Sequence, residues 1–119
     1  MKNFQNGIIY GIICKTTKNL YIGSTVEPPH IRLAKHRYEY KNQNRPNISS
    51  RACFTNNNYD IIVIEKYPCN NQDELQSREA LHIIKNKLCN DFNVVNARCP
   101  KGHKKMVYDL SSLPCPSLT

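Results

Sequence analysis

The sequence predicts an α/β (α+β) domain in which a small sheet is flanked by helices. Three features lead to this fold class: two apolar segments around a polar turn within 7–25, a run of β-branched residues at 59–65, and an amphipathic segment at 73–88. The first is typical of a β-hairpin, and the last is typical of a helix packed on one face. A chain of 119 residues is long enough for one such domain and too short for two.

The hairpin carries two tyrosines that are eleven positions apart. Tyr10 ends the apolar run 7–10, Tyr21 opens the segment 21–23, and the polar segment 15–19 joins them. Because side chains alternate along a strand, neighbouring strands can place two phenols close together on one face. Taken alone, this pattern also fits an ordinary hairpin with half-buried packing tyrosines.

A first helix is predicted to begin near Pro28 and Pro29, because proline is tolerated in the first helical turn. It extends to about Lys41. Arg32 and His36 are four positions apart, so they lie on one face, one turn from each other. Both side chains can therefore point at the same ligand.

Further basic side chains lie on this helix and in the polar segment 42–51, which contains no acid. With Arg32 they are the candidate nucleic-acid contacts: Arg32, Lys35, Arg37, Lys41, Arg45 and Arg51. For Lys35 and Lys41 charge is the only signal, and a solvated charged face is the ordinary alternative.

The clearest strand is the run of β-branched residues at 59–65, which follows a short helix predicted within 49–54 and a turn at 56–58. An unbroken apolar run of this kind is typical of a strand buried on both faces. We therefore expect this strand at the centre of the sheet.

The second long helix is predicted to begin at Asp73 and Glu74, because acids in a first turn complement the helix dipole. Its expected apolar stripe is Ala80, Leu81, Ile83, Ile84 and Leu88. The residues expected to point away from that stripe are Arg78, His82 and Lys85. Glu79 falls at the edge of the stripe, so its carboxylate is directed along the protein surface. An edge glutamate paired with a neighbouring lysine is the ordinary alternative.

The charge of the chain favours a polyanionic partner. Seventeen Lys and Arg against nine Asp and Glu give a net charge of +8, and a basic surface gains affinity for nucleic acid by counterion release. A merely soluble basic surface is the alternative. No stretch approaches the ~18 apolar residues of a membrane span, and the first residues lack a signal-peptide core. We expect a soluble intracellular protein whose six cysteines are free thiols.

In order and in content, these segments resemble the GIY-YIG endonuclease family. The resemblance covers about residues 7–98 and includes both tyrosine motifs, the Arg-and-His helix, the acidic helix and the segment 95–98. It implies a small three-stranded antiparallel sheet, flanked by helices, with the site on one face. The implied catalytic residues are Tyr10, Tyr21, Arg32, His36, Glu79 and Asn96.

These residue types allow metal-dependent hydrolysis of DNA phosphodiesters. Glu79 is the candidate ligand for Mg²⁺ (or Mn²⁺), since Mg²⁺ is commonly held by one or two carboxylates together with substrate phosphate oxygens. Arg32 offers a permanently charged fork that matches phosphate, with Arg37 as the fallback. Asn96 is either a polar contact of the site or a structural residue that satisfies backbone groups.

The general base can be Tyr10 or His36. A phenol with a pKa near ~10 is a weak base at neutral pH, so Tyr10 needs a neighbour to take its proton. His36 can do so, or can be the base itself, while Tyr21 orients the water or the phosphate.

Two other functions stay open. The first tyrosine motif has its glycine at Gly7, one position earlier than the family pattern, which favours a basic DNA-binding module of the same fold without catalysis. The Cys and His residues near the end of the chain suggest an interaction domain stabilised by a structural zinc ion, although they lack a paired Cys-x-x-Cys motif. These are Cys89, Cys99, His103 and Cys115.

The chain is predicted to divide into a nuclease-like domain at 1–98 and a basic, proline-containing tail at 99–119. The tail is too short to fold into a domain that recognises a DNA target sequence, although its lysines can contact phosphates without reading the bases. We therefore expect low sequence specificity, or specificity supplied by a homodimer or a protein partner.

Overall fold

The computed structural model of the chain describes residues 3–42, 51–54, 58–88, 91–96, 113, 114 and 116. In chain order, the elements are a short 3-10 helix (Phe4–Asn6), β1 (Ile8–Cys14), β2 (Asn19–Thr25), α1 (Pro29–Asn42), α2 (Arg51–Phe54), β3 (Tyr59–Lys66), α3 (Gln72–Leu88) and β4 (Asn93–Val94). The predicted α+β class and both long helices are confirmed.

The sheet has four strands in the order β3-β1-β2-β4. β1 is antiparallel to β2 and β3, whereas β4 is parallel to β2. The expectation of three antiparallel strands is therefore wrong, because a short fourth strand makes the sheet mixed. The chain returns beside β2 after α3, where Asn93 N–H donates to the Lys18 carbonyl at 2.8 Å and Val95 N–H to the Leu20 carbonyl at 2.9 Å. A strand of two residues is too short to leave a periodic signal.

The central strand is β1, and the expectation that β3 is central is wrong. All β1 side chains after Ile8 are buried, whereas β3 lies at the edge and its Val63 is 41% exposed. β-branched composition favours an extended backbone but does not say which neighbours a strand receives. Pairing on both sides decides which strand is buried.

One face of α3 differs from its prediction. His82, which was expected to point away from the apolar stripe, is fully buried, whereas Leu88, which was expected to belong to the stripe, is 72% exposed. Arg78 donates to both carboxylate oxygens of Glu65 on β3, each at 2.7 Å, and His82 Nε2 lies 2.9 Å from Glu65 Oε1. A paired carboxylate on the adjacent strand thus allows a histidine on the packed face of α3.

The core has two parts that lie on opposite sides of the sheet. The first joins Ile9, Ile13 and Leu20 to Leu75 and Ile83 of α3. The second consists of Tyr10, Ile12, Cys53 and Phe54, with partly buried residues of α1 packed against it. Successive side chains of β1 alternate between the two parts, as expected for a strand covered on both faces.

No helix within the described ranges is both long enough and apolar enough to cross a membrane. Cys14, Cys53 and Cys69 are buried and form no disulfide among the described residues. The residues of the zinc alternative, Cys89, Cys99, His103 and Cys115, lie outside the described residues. The tail lysines and Arg45 lie outside them as well.

Candidate active site

The centre of the site is a chain of hydrogen bonds that joins α1 to β1. Arg32 Nε donates to the Tyr10 hydroxyl at 3.1 Å, and the same hydroxyl lies 2.8 Å from His36 Nε2. Arginine can only donate, so the Tyr10 oxygen accepts from Arg32. We assign the second bond as donation from the Tyr10 hydroxyl to His36, because this gives the buried phenol proton an acceptor. His36 Nε2 is then the acceptor, which assigns the imidazole proton to Nδ1.

Three rings hold this arrangement in place. The ring centroid of Tyr21 lies 6.4 Å from that of Tyr10 and 5.3 Å from that of His36, edge-on to the imidazole. Tyr10 is fully buried and His36 is 5% exposed. Aromatic pairs favour such distances and tilts, so neighbouring strands and α1 fix the direction of the Tyr10 hydroxyl.

The glycine opposite Tyr10 makes room for the phenol. Gly23 is the cross-strand partner of Tyr10, and a Cβ at Gly23 would lie 2.5 Å from Tyr10 Cζ and even closer to the hydroxyl. Any other residue would therefore displace the ring. From the sequence this glycine was only part of a motif, since the strand register that places it opposite Tyr10 comes from the structure.

Gly23→Ala is expected to move the Tyr10 hydroxyl away from Arg32 and His36. We expect a loss of about 1–3 kcal/mol in the free energy of unfolding, the usual effect of an extra methyl group in a packed site. Urea denaturation measures it. In a Tyr10→Leu background the same change should cost less, because the clashing ring is gone. An equal cost in both backgrounds would show that Tyr10 is not the reason for the glycine.

Burial keeps both members of the Tyr10–His36 pair uncharged at neutral pH. It raises the pKa of Tyr10 well above its ordinary value, with a further contribution from Tyr21. Burial, and then the charge of Arg32, lowers the pKa of His36 to about 4. Tyr10 therefore holds its proton, and His36 is a neutral imidazole able to accept one.

The lowered pKa of His36 predicts a loss of stability in acid. The unfolded chain, with a His pKa of 6.5, takes up a proton first as the pH falls, while the folded pKa is about 4. The contribution of His36 is therefore complete above about pH 6.5 and is lost towards pH 4. Between pH 7 and pH 5 we expect a loss of roughly 2 kcal/mol in the free energy of unfolding from this group.

Urea denaturation of wild type and His36→Gln at both pH values measures this difference. His82, whose pKa is also lowered by burial, is present in both proteins and cancels in the comparison. The same loss of stability in both proteins would contradict the role given to His36.

The carboxylate of the site comes from α3. Glu79 Oε1 accepts a hydrogen bond from the Ser24 hydroxyl at 2.5 Å, which ties α3 to the end of β2. Burial raises the pKa of Glu79, although the Ser24 hydrogen bond and the charge of Arg32 oppose the increase. Glu79 in turn raises the pKa of Tyr21, after burial. The carboxylate is therefore electrostatically coupled to Tyr21 and Arg32. Sequence reasoning missed Ser24, whose only signal was its position next to Gly23.

The oxygens around Glu79 fit a hard cation that keeps much of its water. The described residues contain no group of three or more His, Cys, Asp or Glu placed to hold a metal, so they offer no preformed cage. A partly buried carboxylate with a raised pKa gains from a nearby cation, and the Ser24 hydroxyl fixes the direction of this one. One carboxylate with waters and substrate oxygens is a common environment for Mg²⁺.

Asn96 is used by the backbone of β2. Its Oδ1 accepts from the Ile22 N–H at 2.9 Å, its Nδ2 donates to the Ile22 carbonyl at 2.7 Å, and the residue is 8% exposed. Ile22 lies between Tyr21 and Gly23. Of the two interpretations left open by the sequence, the geometry favours the structural one, in which Asn96 extends the hydrogen bonding of β4 and holds the strand that carries Tyr21.

The basic residues of α1 lie around the Arg32–His36 face. Lys35 forms an exposed ion pair with Glu27 at 2.6 Å, beside a cleft of about 710 Å³ that Arg32 also lines. Arg37 and Lys41 are exposed. Arg51 begins α2, and no position is described for its side chain.

Residues 6–93 match the sequence model of the GIY-YIG catalytic domain. The chain belongs to this family. The resemblance inferred from the sequence is thus confirmed, and the family is one of nucleases. Searches of curated proteins and of solved structures found no match.

Close packing explains Gly7, the glycine that stands one position earlier in this GIY-YIG domain than in the family pattern. A Cβ at Gly7 would lie 2.5 Å from the carbonyl oxygen of Tyr67, and the Tyr67 N–H donates to the Gly7 carbonyl at 2.8 Å. The glycine therefore allows the chain after β3 to approach the start of β1. Its position does not disturb the hydrogen bonds of Tyr10.

Proposed function

We propose that the protein is a metal-dependent endonuclease that hydrolyses phosphodiester bonds in DNA. The observation that carries the proposal is the hydrogen-bond chain from Arg32 through Tyr10 to His36. Glu79 contributes to the raised pKa of Tyr10, and the charge of Arg32 lowers the pKa of Glu79. A purely structural hairpin has no need for a buried phenol that accepts from a cation and donates to a neutral imidazole. Each group in the chain instead fits one requirement of phosphodiester hydrolysis.

Glu79 would hold Mg²⁺ (or Mn²⁺), with the Ser24 hydroxyl fixing the direction of the carboxylate. When bound, the metal polarises the phosphate and stabilises the departing 3′ oxygen. Ser24 is a positioning residue in this proposal, since it acts through Glu79.

Arg32 would stabilise the negative charge that develops on the phosphate. Its Nε holds the Tyr10 hydroxyl, while Nη1 and Nη2 carry the other donors of the planar fork. Donors already placed where charge develops need no reorganisation during the reaction. The hydrogen bond to Tyr10 thus orients the guanidinium as well as the phenol.

Tyr10 and His36 would remove the proton of the attacking water together. The water oxygen bonds to phosphorus as the bond from phosphorus to the 3′ oxygen breaks, the water proton passes to the Tyr10 oxygen, and the Tyr10 proton passes to His36 Nε2. The phenol stays neutral throughout, as its raised pKa requires. Burial and Arg32 disfavour the imidazolium that forms, so the negative charge of the bound phosphate would have to stabilise it. Tyr21 would orient the water or the phosphate at the end of this path.

The test is cleavage of supercoiled, branched and single-stranded DNA side by side, with Mg²⁺, Mn²⁺ or EDTA. We expect cleavage with either metal and none in EDTA. Metal-independent cleavage would contradict the assignment to Glu79. Binding without cleavage under every condition would instead support the DNA-binding module that lacks catalysis.

We further propose that intrinsic sequence specificity is low. The basic side chains of α1 can contact phosphates, and such contacts position a protein without reading the bases. A homodimer or a protein partner remains the predicted source of any sequence preference.

A further inference from the structure

A second pocket lies between α1, α2 and β3, separate from the hydrogen-bond chain. Its volume is about 230 Å³, and we call it the aromatic pocket after its lining residues, Arg37, Tyr40, Lys41, Phe54 and Tyr59. The ring of Phe54 lies 5.5 Å from that of Tyr40 and 4.5 Å from that of Tyr59, in an edge-on contact. Three rings thus line a concave surface that has two cations at its rim.

The aromatic pocket is close to the catalytic residues. Tyr40 follows His36 by four positions on α1, which is one helical turn, or about 6 Å along the axis. Phe54 belongs to the same buried cluster as Tyr10, with Tyr21, Tyr40 and Tyr59 packed against it. Arg32 is eight positions before Tyr40, or about 12 Å along the axis, so a chain of nucleotides whose phosphate contacts Arg32 reaches the pocket after about two nucleotides.

The lining has the chemistry of a single-stranded nucleic-acid site. Aromatic side chains bind bases by stacking, and every base has a face to offer. Arg37 and Lys41 are exposed and four positions apart on α1, so they lie on one face of the helix and can hold the phosphates beside a bound base. Phe54, by contrast, is only 2% exposed. It is the most buried of the lining residues, while Tyr40 and Tyr59 are half-buried.

We propose that the aromatic pocket binds an unstacked nucleobase within about two nucleotides of the scissile phosphate. This inference rests on the proposed function and names its substrate class: DNA with an unpaired nucleotide close to the cleavage position. A paired base inside a duplex cannot reach the pocket without leaving the stack, and unstacking costs least at a bulge, a branch or a single strand.

The test uses two DNA duplexes that share one defined distortion. Both carry a single bulged nucleotide, which is thymidine in one duplex and an abasic site in the other. Binding to the full chain is measured by fluorescence anisotropy in EDTA, where no cleavage is expected. Wild type should bind the thymidine bulge about 5- to 150-fold more tightly, the usual contribution of one base stacked on aromatic side chains. Equal affinity for the two duplexes would overturn the proposal.

Substitutions of the pocket tyrosines test whether the preference for the thymidine bulge arises in the aromatic pocket. Tyr40→Leu and Tyr59→Leu keep apolar bulk, remove a stacking surface and should bring the ratio of the two affinities close to one. Tyr38→Leu is the matched control, because Tyr38 lies on the same helix, is 68% exposed and is not a lining residue of the pocket. An unchanged ratio in both pocket variants would overturn the proposal even if wild type prefers the base.

Photo-crosslinking requires no variant. With 5-iodouracil at the bulged position, we expect crosslinks to Tyr40, Phe54 or Tyr59, identified by mass spectrometry of the digested protein. Crosslinks confined to other residues would contradict the site. Failure of the pocket and failure of the endonuclease are separable. Dependence of binding on the base is measured in EDTA, where no cleavage is expected, and the endonuclease is tested by cleavage of branched and single-stranded DNA with metal.

Discussion

Glu79→Gln is expected to abolish DNA cleavage while the fold and DNA binding are retained. The substitution keeps the size of the side chain and an oxygen that can accept from Ser24, but it removes the charge that would hold the metal. Loss of several kcal/mol of metal assistance corresponds to about a 10³-fold or greater loss of rate. Burial already disfavours the charged form of Glu79, so the free energy of unfolding should stay the same or increase.

Plasmid nicking with Mg²⁺ and urea denaturation measure these two effects separately. The matched control is Glu74→Gln, since Glu74 lies on the same helix and caps its first turn by accepting from the Asn70 N–H at 3.0 Å. It should lose a little stability and keep its activity. Full nicking activity in Glu79→Gln would eliminate this carboxylate as the metal ligand.

Arg32→Lys is expected to reduce cleavage by about 10³-fold although the positive charge is kept. Lysine lacks the planar fork that matches phosphate, and it has no Nε to donate to the Tyr10 hydroxyl. Arginines that stabilise a transferring phosphoryl group contribute about 10³- to 10⁵-fold in rate. Binding to DNA should change little, because binding depends mainly on charge.

Single-turnover cleavage measures the rate, and anisotropy measures the affinity. Arg37→Lys is the control on the same helix, since Arg37 is exposed and its expected role is a phosphate contact. It should cleave at close to the wild-type rate. If Arg37→Lys lost activity and Arg32→Lys kept it, the fallback arginine of the sequence analysis would be the catalytic one.

Much of the fold was predictable because its signals are local. The prolines at the start of α1 and the acids at the start of α3 mark helix boundaries through backbone geometry and dipole alone, and the structure agrees with both to within about one residue. The spacing of Arg32 and His36 is a helical turn in any context. That both side chains lie on one face of α1 could therefore be anticipated without coordinates.

Other features depended on contacts between segments distant in sequence. His82 was expected to face away from the core, but Glu65 of β3 makes its burial possible. Ser24 was missed because its partner, Glu79, is 55 positions away. Asn96 similarly depends on Ile22, which is 74 positions away. No periodic pattern carries such information.

The sequence by itself determined the kinds of elements and their order, since these follow from periodicity and capping, and its resemblance to the GIY-YIG family supplied the candidate catalytic side chains. Only the tertiary structure decided that β1 is central, that β4 joins the sheet, and that Gly23 makes room for Tyr10. Strand order and side-chain clearance depend on which distant surfaces meet. The direction of the hydrogen bonds from Arg32 to His36 likewise required the strand and the helix in contact, because a hydroxyl turns towards whichever acceptor the packing provides.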